Sequence, residues 1–251
     1  MSHNFRFITA CNLKQEYLEF VEPWINHHKR LYPNCEVKVI LVAHSIPAKL
    51  ELVKEDIILY EPEVSIPTAY IAQMIRILYP VLLEPAVNIM CDIDLFIMNT
   101  SLLTLIKSVP NLETAFINYG KMSLKTCVIE KNIGFCYSIL HTDLIKSKYE
   151  VRNRLEIDKF LLDNIIINKG GHGYKWETDQ IILYEKFWNY EGLVKIEREK
   201  PDRLDRNWFN YKLEAVKEAV KNNFIVDYHA PRPYSRYVEE VNTVLGYCPP
   251  P

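Results

Sequence analysis

VNIMCDIDLFIMNT, Val87 to Thr100, is the stretch on which the fold turns. It is apolar nearly throughout, as a central strand covered on both faces would be, yet it holds Asp92 and Asp94. A carboxylate among apolar residues is costly unless it is paired, hydrogen-bonded or bound to a metal. Alternate residues of a strand face the same way, so the run predicts Asp92 and Asp94 on one face and Ile93 on the other. Two carboxylates so close repel unless a proton or cation lies between them. A divalent cation such as Mn²⁺ or Mg²⁺, which takes oxygen ligands and shares them with substrate phosphates, removes the repulsion. A surface turn with two solvated aspartates is the plainer account of a bare Asp-x-Asp, but VNIMC before it and LFIM after it argue for a strand end.

Upstream of this stretch, strands and helices alternate. Phe5–Thr9, Val37–Ala43 and Ile57–Tyr60 read as strands. Gln15 to Leu31 has helical spacing, with a kink expected at Pro23. Thr68 to Leu82 reads as a helix with Ile71, Ile75, Leu78 and Leu82 inward. This β-α-β-α-β order predicts an α/β fold with helices on both faces of the sheet. In such sheets ligands bind beyond the carboxyl ends of the strands, where the two aspartates fall. Downstream the pattern is less regular: strands over Thr114–Asn118, Ile133–Leu140 and Phe224–His229, and helices over Asp158–Ile167, Asp179–Trp188 and Tyr234–Leu245. One domain over 1–251 is expected, with 1–100 as a nucleotide-binding half, 101–245 as an acceptor-side half and 246–251 as a tail.

Composition narrows the function classes. The 251 residues are 49% hydrophobic and 25% charged, with a net charge of −2, so no broad basic surface for nucleic acid is implied. Apolar runs are broken by charge well short of a membrane span. The start, MSHNFRFITACN, lacks the basic-then-apolar order of a signal peptide. Six scattered cysteines without a Cys-x-x-Cys read as reduced core thiols, and a cytoplasmic location is the simplest expectation.

The strand ending in Asp-x-Asp, preceded by IAQMIRILYPVLL, resembles the nucleotide-sugar-dependent glycosyltransferases of the GT-A fold. Further motifs follow in the family's order: NIGFCYSIL (Asn132–Leu140), ETDQIIL (Glu177–Leu183) and DYHAPRPY (Asp227–Tyr234). The second of these is similar to the segment of the retaining, glycogenin- and galactosyltransferase-type members. The resemblance implies a mixed, mainly parallel, Rossmann-like sheet. It also implies transfer of a hexose or pentose from a nucleoside diphosphate sugar, commonly UDP-linked, to a glycan, glycolipid or protein acceptor.

The resemblance also assigns roles. Asp92, Asp94 and His229 would hold Mn²⁺ or Mg²⁺ against the donor diphosphate, an imidazole favouring Mn²⁺. Arg76 and Arg232 would contact the diphosphate or donor sugar, as guanidinium geometry suits. Thr9, Ala10 and Asn12 would cradle base and ribose, with Ile93 beside them. Asp179 and Gln180 would flank the anomeric carbon, Asp179 serving as general base only if the enzyme inverts. Asn132 would reach the same region, and Gly134 would let the backbone approach closely. Against these stand plainer roles: a core position for Tyr17, a helix cap for Thr178 or Asp179, and a salt-bridged turn for Asp202, Asp205 and Arg206. His172 and Trp176 are candidates for acceptor stacking. In one departure, the family's late glycine and lysine are here replaced by Ala230-Pro231-Arg232-Pro233. Two other classes fit an Asp-x-Asp strand: a haloacid-dehalogenase-like phosphotransferase, and a non-catalytic nucleotide-sugar or glycan-binding protein. A nucleotidyltransferase would carry an early Gly-rich or Lys-bearing signature, which is not seen.

Overall fold

The computed structural model describes residues 3–62, 65–120, 124–166, 175–197, 202–206 and 213–248. Ten strands are seen among them: β1 Phe5–Asn12, β2 Glu36–Val42, β3 Ile57–Tyr60, β4 Val87–Cys91, β5 Leu95–Ile97, β6 Phe116–Gly120, β7 Tyr137–His141, β8 Leu193–Glu197, β9 Arg203–Leu204 and β10 Asp227–His229. A seven-stranded sheet has the order β3-β2-β1-β4-β7-β6-β8. Its strands run parallel except β7, which is antiparallel to both β4 and β6. The mixed, mainly parallel α/β sheet expected from the sequence is therefore present. A small second sheet, β5-β10-β9, sits beside it.

Alternation along the central strands feeds two cores. Phe7, Val39, Leu41 and Ile89 face one, and Ile8, Ile40, Val42 and Met90 face the other. Two helices are introduced by the chain between β1 and β2: α1 Gln15–Leu18 and α2 Val21–Leu31. The break falls at Glu19 and Phe20 rather than at Pro23, because Pro23 lies in the first turn of α2, where a missing N–H leaves no bond unmade. Next come α3 Thr68–Leu78, continued by a 3₁₀ turn over Tyr79–Leu82, and α4 Ser101–Ser108. Beyond them lie α5 Leu124–Glu130, α6 Thr142–Tyr149, α7 Arg154–Asp163, α8 Thr178–Phe187, α9 Leu213–Lys221 and α10 Val238–Leu245. Among the described residues no helix is long and apolar enough to cross a membrane.

Five further expectations are corrected. Val87–Thr100 is not one strand: β4 ends at Cys91, a turn closes with Leu95 N–H donating to Asp92 O (3.1 Å), and β5 leaves for the small sheet. Ile133–Leu140 is irregular up to Cys136, and the late strand shrinks to Asp227–His229. The helix expected from Asp158 starts at Arg154, where Asn153 caps it by accepting from Glu156 N–H at 3.0 Å. Cys248, expected in the tail, is buried, its Sγ 3.7 Å from Met98 Sδ.

The edge of the small sheet is closed by side chains. An edge strand offers unpaired carbonyls that must find donors when buried. Trp24 Nε1–H donates to Leu95 O (3.0 Å), and His27 Nε2 meets Ile97 O (2.6 Å), so that nitrogen carries the proton. Helix α2 thereby fixes β5, and β5 fixes the antiparallel partner β10 that ends in His229.

Candidate active site

A cleft of about 440 Å³ opens where β1 and β4 end. Its lining includes Ala10, Asn12, Arg76, Asp92, Ile93, Asp94, Gly134, Asp179, Gln180, His229 and Arg232. Thus residues from both ends of the chain meet at the carboxyl edge of the parallel strands, where ligand sites of open α/β sheets lie. Thr9 and Asn132 are not in the lining. Thr9 Oγ1–H donates to Cys91 O (2.8 Å), tying β1 to β4 beneath the floor. Asn132 is buried, and its Oδ1 has no partner among the described residues. His172 lies outside the described residues.

One wall is a face of α3. Ala69, Ala72, Gln73 and Arg76 recur at helical spacing and line the cleft, while Ile71, Ile75 and Leu78 pack into the core. The alanines leave room, and the two polar residues supply contacts. Arg76 is buried, with its guanidinium carbon 3.6 Å from the centre of the Phe135 ring. Its Nε–H donates to Gln73 O (3.2 Å), Nη1 to Cys91 O (3.1 Å) and Asp92, and Nη2 to Asp179 Oδ2 (2.8 Å). Burial would lower the Arg76 pKa, but the charges of Asp92 and Asp179 outweigh it and raise it. Gln73, not singled out from the sequence, donates to Trp176 O (2.9 Å), and its Oε1 beside the cleft has no partner among the described residues. The polar pair i, i+3 opposite an apolar stripe is the signal that would have found it.

Asp179 does not cap α8 in the expected way. The cap position is Glu177, without a side-chain cap bond. Instead Asp179 Oδ2 accepts from Arg76 Nη2, and its Oδ1 accepts from Gln180 N–H (2.9 Å). Burial raises its pKa, opposed by Arg76.

The Asp-x-Asp pair converges on the cleft through the turn at 92–95, not through strand alternation. Asp92 is partly exposed and turns toward Arg76. Asp94 is buried, and its Oδ2 collects three donors: Arg206 Nη2 at 2.6 Å, Arg232 Nε at 3.3 Å and His229 Nε2 at 3.4 Å. Burial pushes the Asp94 carboxyl up, but His229 and the two arginines more than offset this and hold it at about 2. Among the described residues no three His, Cys, Asp or Glu side chains close on one point as a ready-made metal centre. The chemistry of the donor set still fits a divalent cation: two carboxylates and an imidazole line one cleft, and arginines now neutralise the carboxylates. Arg232 also bonds Tyr17 Oη, so Tyr17 stands at the cleft mouth rather than in the core.

No family model matches the chain, and no curated protein matches it by sequence. Its fold is shared with solved glycosyltransferases. The galactosyltransferase LgtC, solved with donor and acceptor sugar analogs, superposes with a TM-score of 0.51 at 10% identity, over 97% of this chain and 96% of that one. The glycosyltransferase GlyE of Streptococcus pneumoniae TIGR4 gives 0.51 at 13% identity, 98% of this chain spanning 63% of the longer one. The architecture is that of GT-A glycosyltransferases.

Proposed function

We propose that the protein is a metal-dependent glycosyltransferase that moves a sugar from a nucleoside diphosphate sugar, UDP-linked, to a hydroxyl acceptor with retention. One observation carries the reading: Asp92, Asp94, His229, Arg232, Asp179 and Gln180, scattered along the sequence, line one cleft at the strand ends. Asp92, Asp94 and His229 would hold Mn²⁺ or Mg²⁺, which when bound neutralises charge on the departing nucleoside diphosphate.

The remaining roles belong to the chain itself. Ala10, Asn12 and Tyr17 border the end where base and ribose would lie. Arg232, at the cleft mouth, would bind the diphosphate. Arg76 acts one step back: its donors already engage Asp92, Asp179 and two carbonyls, so it orients carboxylates instead of touching substrate. Both Asp179 oxygens are occupied, one by a guanidinium, which leaves it poorly placed as a general base. That supports retention, with Asp179 and Gln180 holding the donor sugar near its anomeric carbon.

The test is a screen of nucleotide sugars with Mn²⁺, followed by NMR of the product's anomeric configuration. UDP plus Mn²⁺ should raise the melting temperature, and EDTA should abolish the rise. D94N should lower turnover at least ~100-fold, the scale of a lost charge-stabilising group. Absence of stabilisation by every nucleoside diphosphate with metal would falsify the reading.

A further inference from the structure

Residues 202–206 form a strap across the mouth of the site. Arg203 and Asp227 make a buried two-armed ion pair, Nε–Oδ1 2.8 Å and Nη2–Oδ2 2.9 Å, and β9 runs in register with β10. A buried pair of this kind is costly to break, so it fixes where the strap lies. The next residues then fall on the site. Asp205 Oδ1 accepts from Arg206 N–H (3.0 Å) and faces His229 Nδ1 (3.1 Å), and the Arg206 side chain crosses to Asp94.

Arg206 is only half satisfied there. Its Nη2 meets Asp94 Oδ2, but its buried Nε has no partner among the described residues. A guanidinium fork suits an acceptor with two oxygens on one edge, as a phosphate offers. Asp94 is crowded in the opposite sense, one oxygen having three side-chain nitrogens within 3.4 Å. Arg206 and Arg232 line the same cleft and a second recess beside it. We propose that Arg206 is an anion clamp parked on Asp94, and that a diphosphate and a divalent cation enter by exchanging with this ion pair. The cation takes the carboxylate and the diphosphate takes the guanidinium. This rests on reading the cleft as a diphosphate site. Each ligand frees the other's seat, so part of their cooperativity runs through Arg206.

The exchange makes opposite predictions for two ligands measured separately on the intact protein. In R206Q, inorganic pyrophosphate without metal should bind about tenfold more weakly by calorimetry, the loss of one charge-assisted contact. Mn²⁺ without pyrophosphate should bind about three- to tenfold more tightly by electron paramagnetic resonance, because its carboxylate has lost a competitor. R206K, which keeps the charge but loses the fork, should leave Mn²⁺ affinity within about threefold of the parent while pyrophosphate binds more weakly than in the parent. Unchanged pyrophosphate affinity in R206Q, or weakening of both ligands together, would overturn the proposal. Failure of the glycosyltransferase reading is separate: no nucleotide sugar would be consumed, whatever pyrophosphate and Mn²⁺ do.

Discussion

Two arginine–aspartate pairs sit three positions apart on the same strap and differ in almost every physical respect. Arg203–Asp227 is closed: both partners are buried, two parallel hydrogen bonds join them, and a strand pairing holds their backbones. Arg206–Asp94 is open: the arginine side chain is 38% exposed, one bond joins the pair, and Nε has no partner among the described residues. The first has no better partner to find, so it specifies structure. The second can exchange, because water and ligands reach it. Identical residue types thus serve different ends, decided by burial and by how many donors are satisfied.

The sharpest way to break the contrast is to delete each arginine in turn and measure urea unfolding. R203A strands the Asp227 carboxylate in the core and should cost about 3–5 kcal/mol, the usual penalty for half of a buried pair. R206A should cost under about 1 kcal/mol, since its side chain is partly solvated and Asp94 keeps His229 and Arg232. Equal losses would remove the distinction.

Acid provides a second, smaller probe. Asp94, held at about 2, stays ionised between pH 7.5 and 5, so its pair does not titrate in that window. His27 behaves otherwise. Burial pushes its pKa down from 6.5 to about 4, only partly opposed by its bond to Ile97 O. The unfolded chain therefore takes up a proton as pH falls below 6.5 while the folded chain does not, and stability drops through that range. At pH 5 the loss from His27 is roughly 2 kcal/mol relative to pH 7.5. H27Q, whose amide can still donate to Ile97 O, should make the profile between pH 7.5 and 5 shallower, while His28, whose pKa burial also lowers, keeps part of the slope. An effect smaller than that of His27 is expected at Thr9. T9V should cost about 1 kcal/mol for its lost bond to Cys91 O, yet change nucleoside diphosphate affinity less than about twofold.

The first hundred residues were largely legible because their signals are local. The alternation of FRFIT and VKVILVA, and the helical spacing through Arg76, each depend on neighbours a few positions away. Turns and short strands were less so. The split of Val87–Thr100 escaped because β4 and β5 are equally apolar, and only their different pairing partners separate them. The second half hides α6 for a related reason: it buries only one side against the sheet and carries a mixed polar face. Most candidate site residues could be named from motif order alone, but their present partners could not. Thr9 sits under the floor, Asn132 behind the wall, and Gln73 at the cleft, given no role by the motif that contains it.

By itself the sequence determined an α/β sheet, a pair of aspartates at a strand end, and a histidine and arginine late in the chain to join them. Pattern and composition suffice for this, because strand and helix periodicity are written in consecutive side chains. Only the tertiary structure decided which charge faces which. The Arg206–Asp94 contact joins residues 112 positions apart, and Arg76–Asp179 joins residues 103 apart. Such pairings exist only once the packed sheet has excluded water from at least one partner.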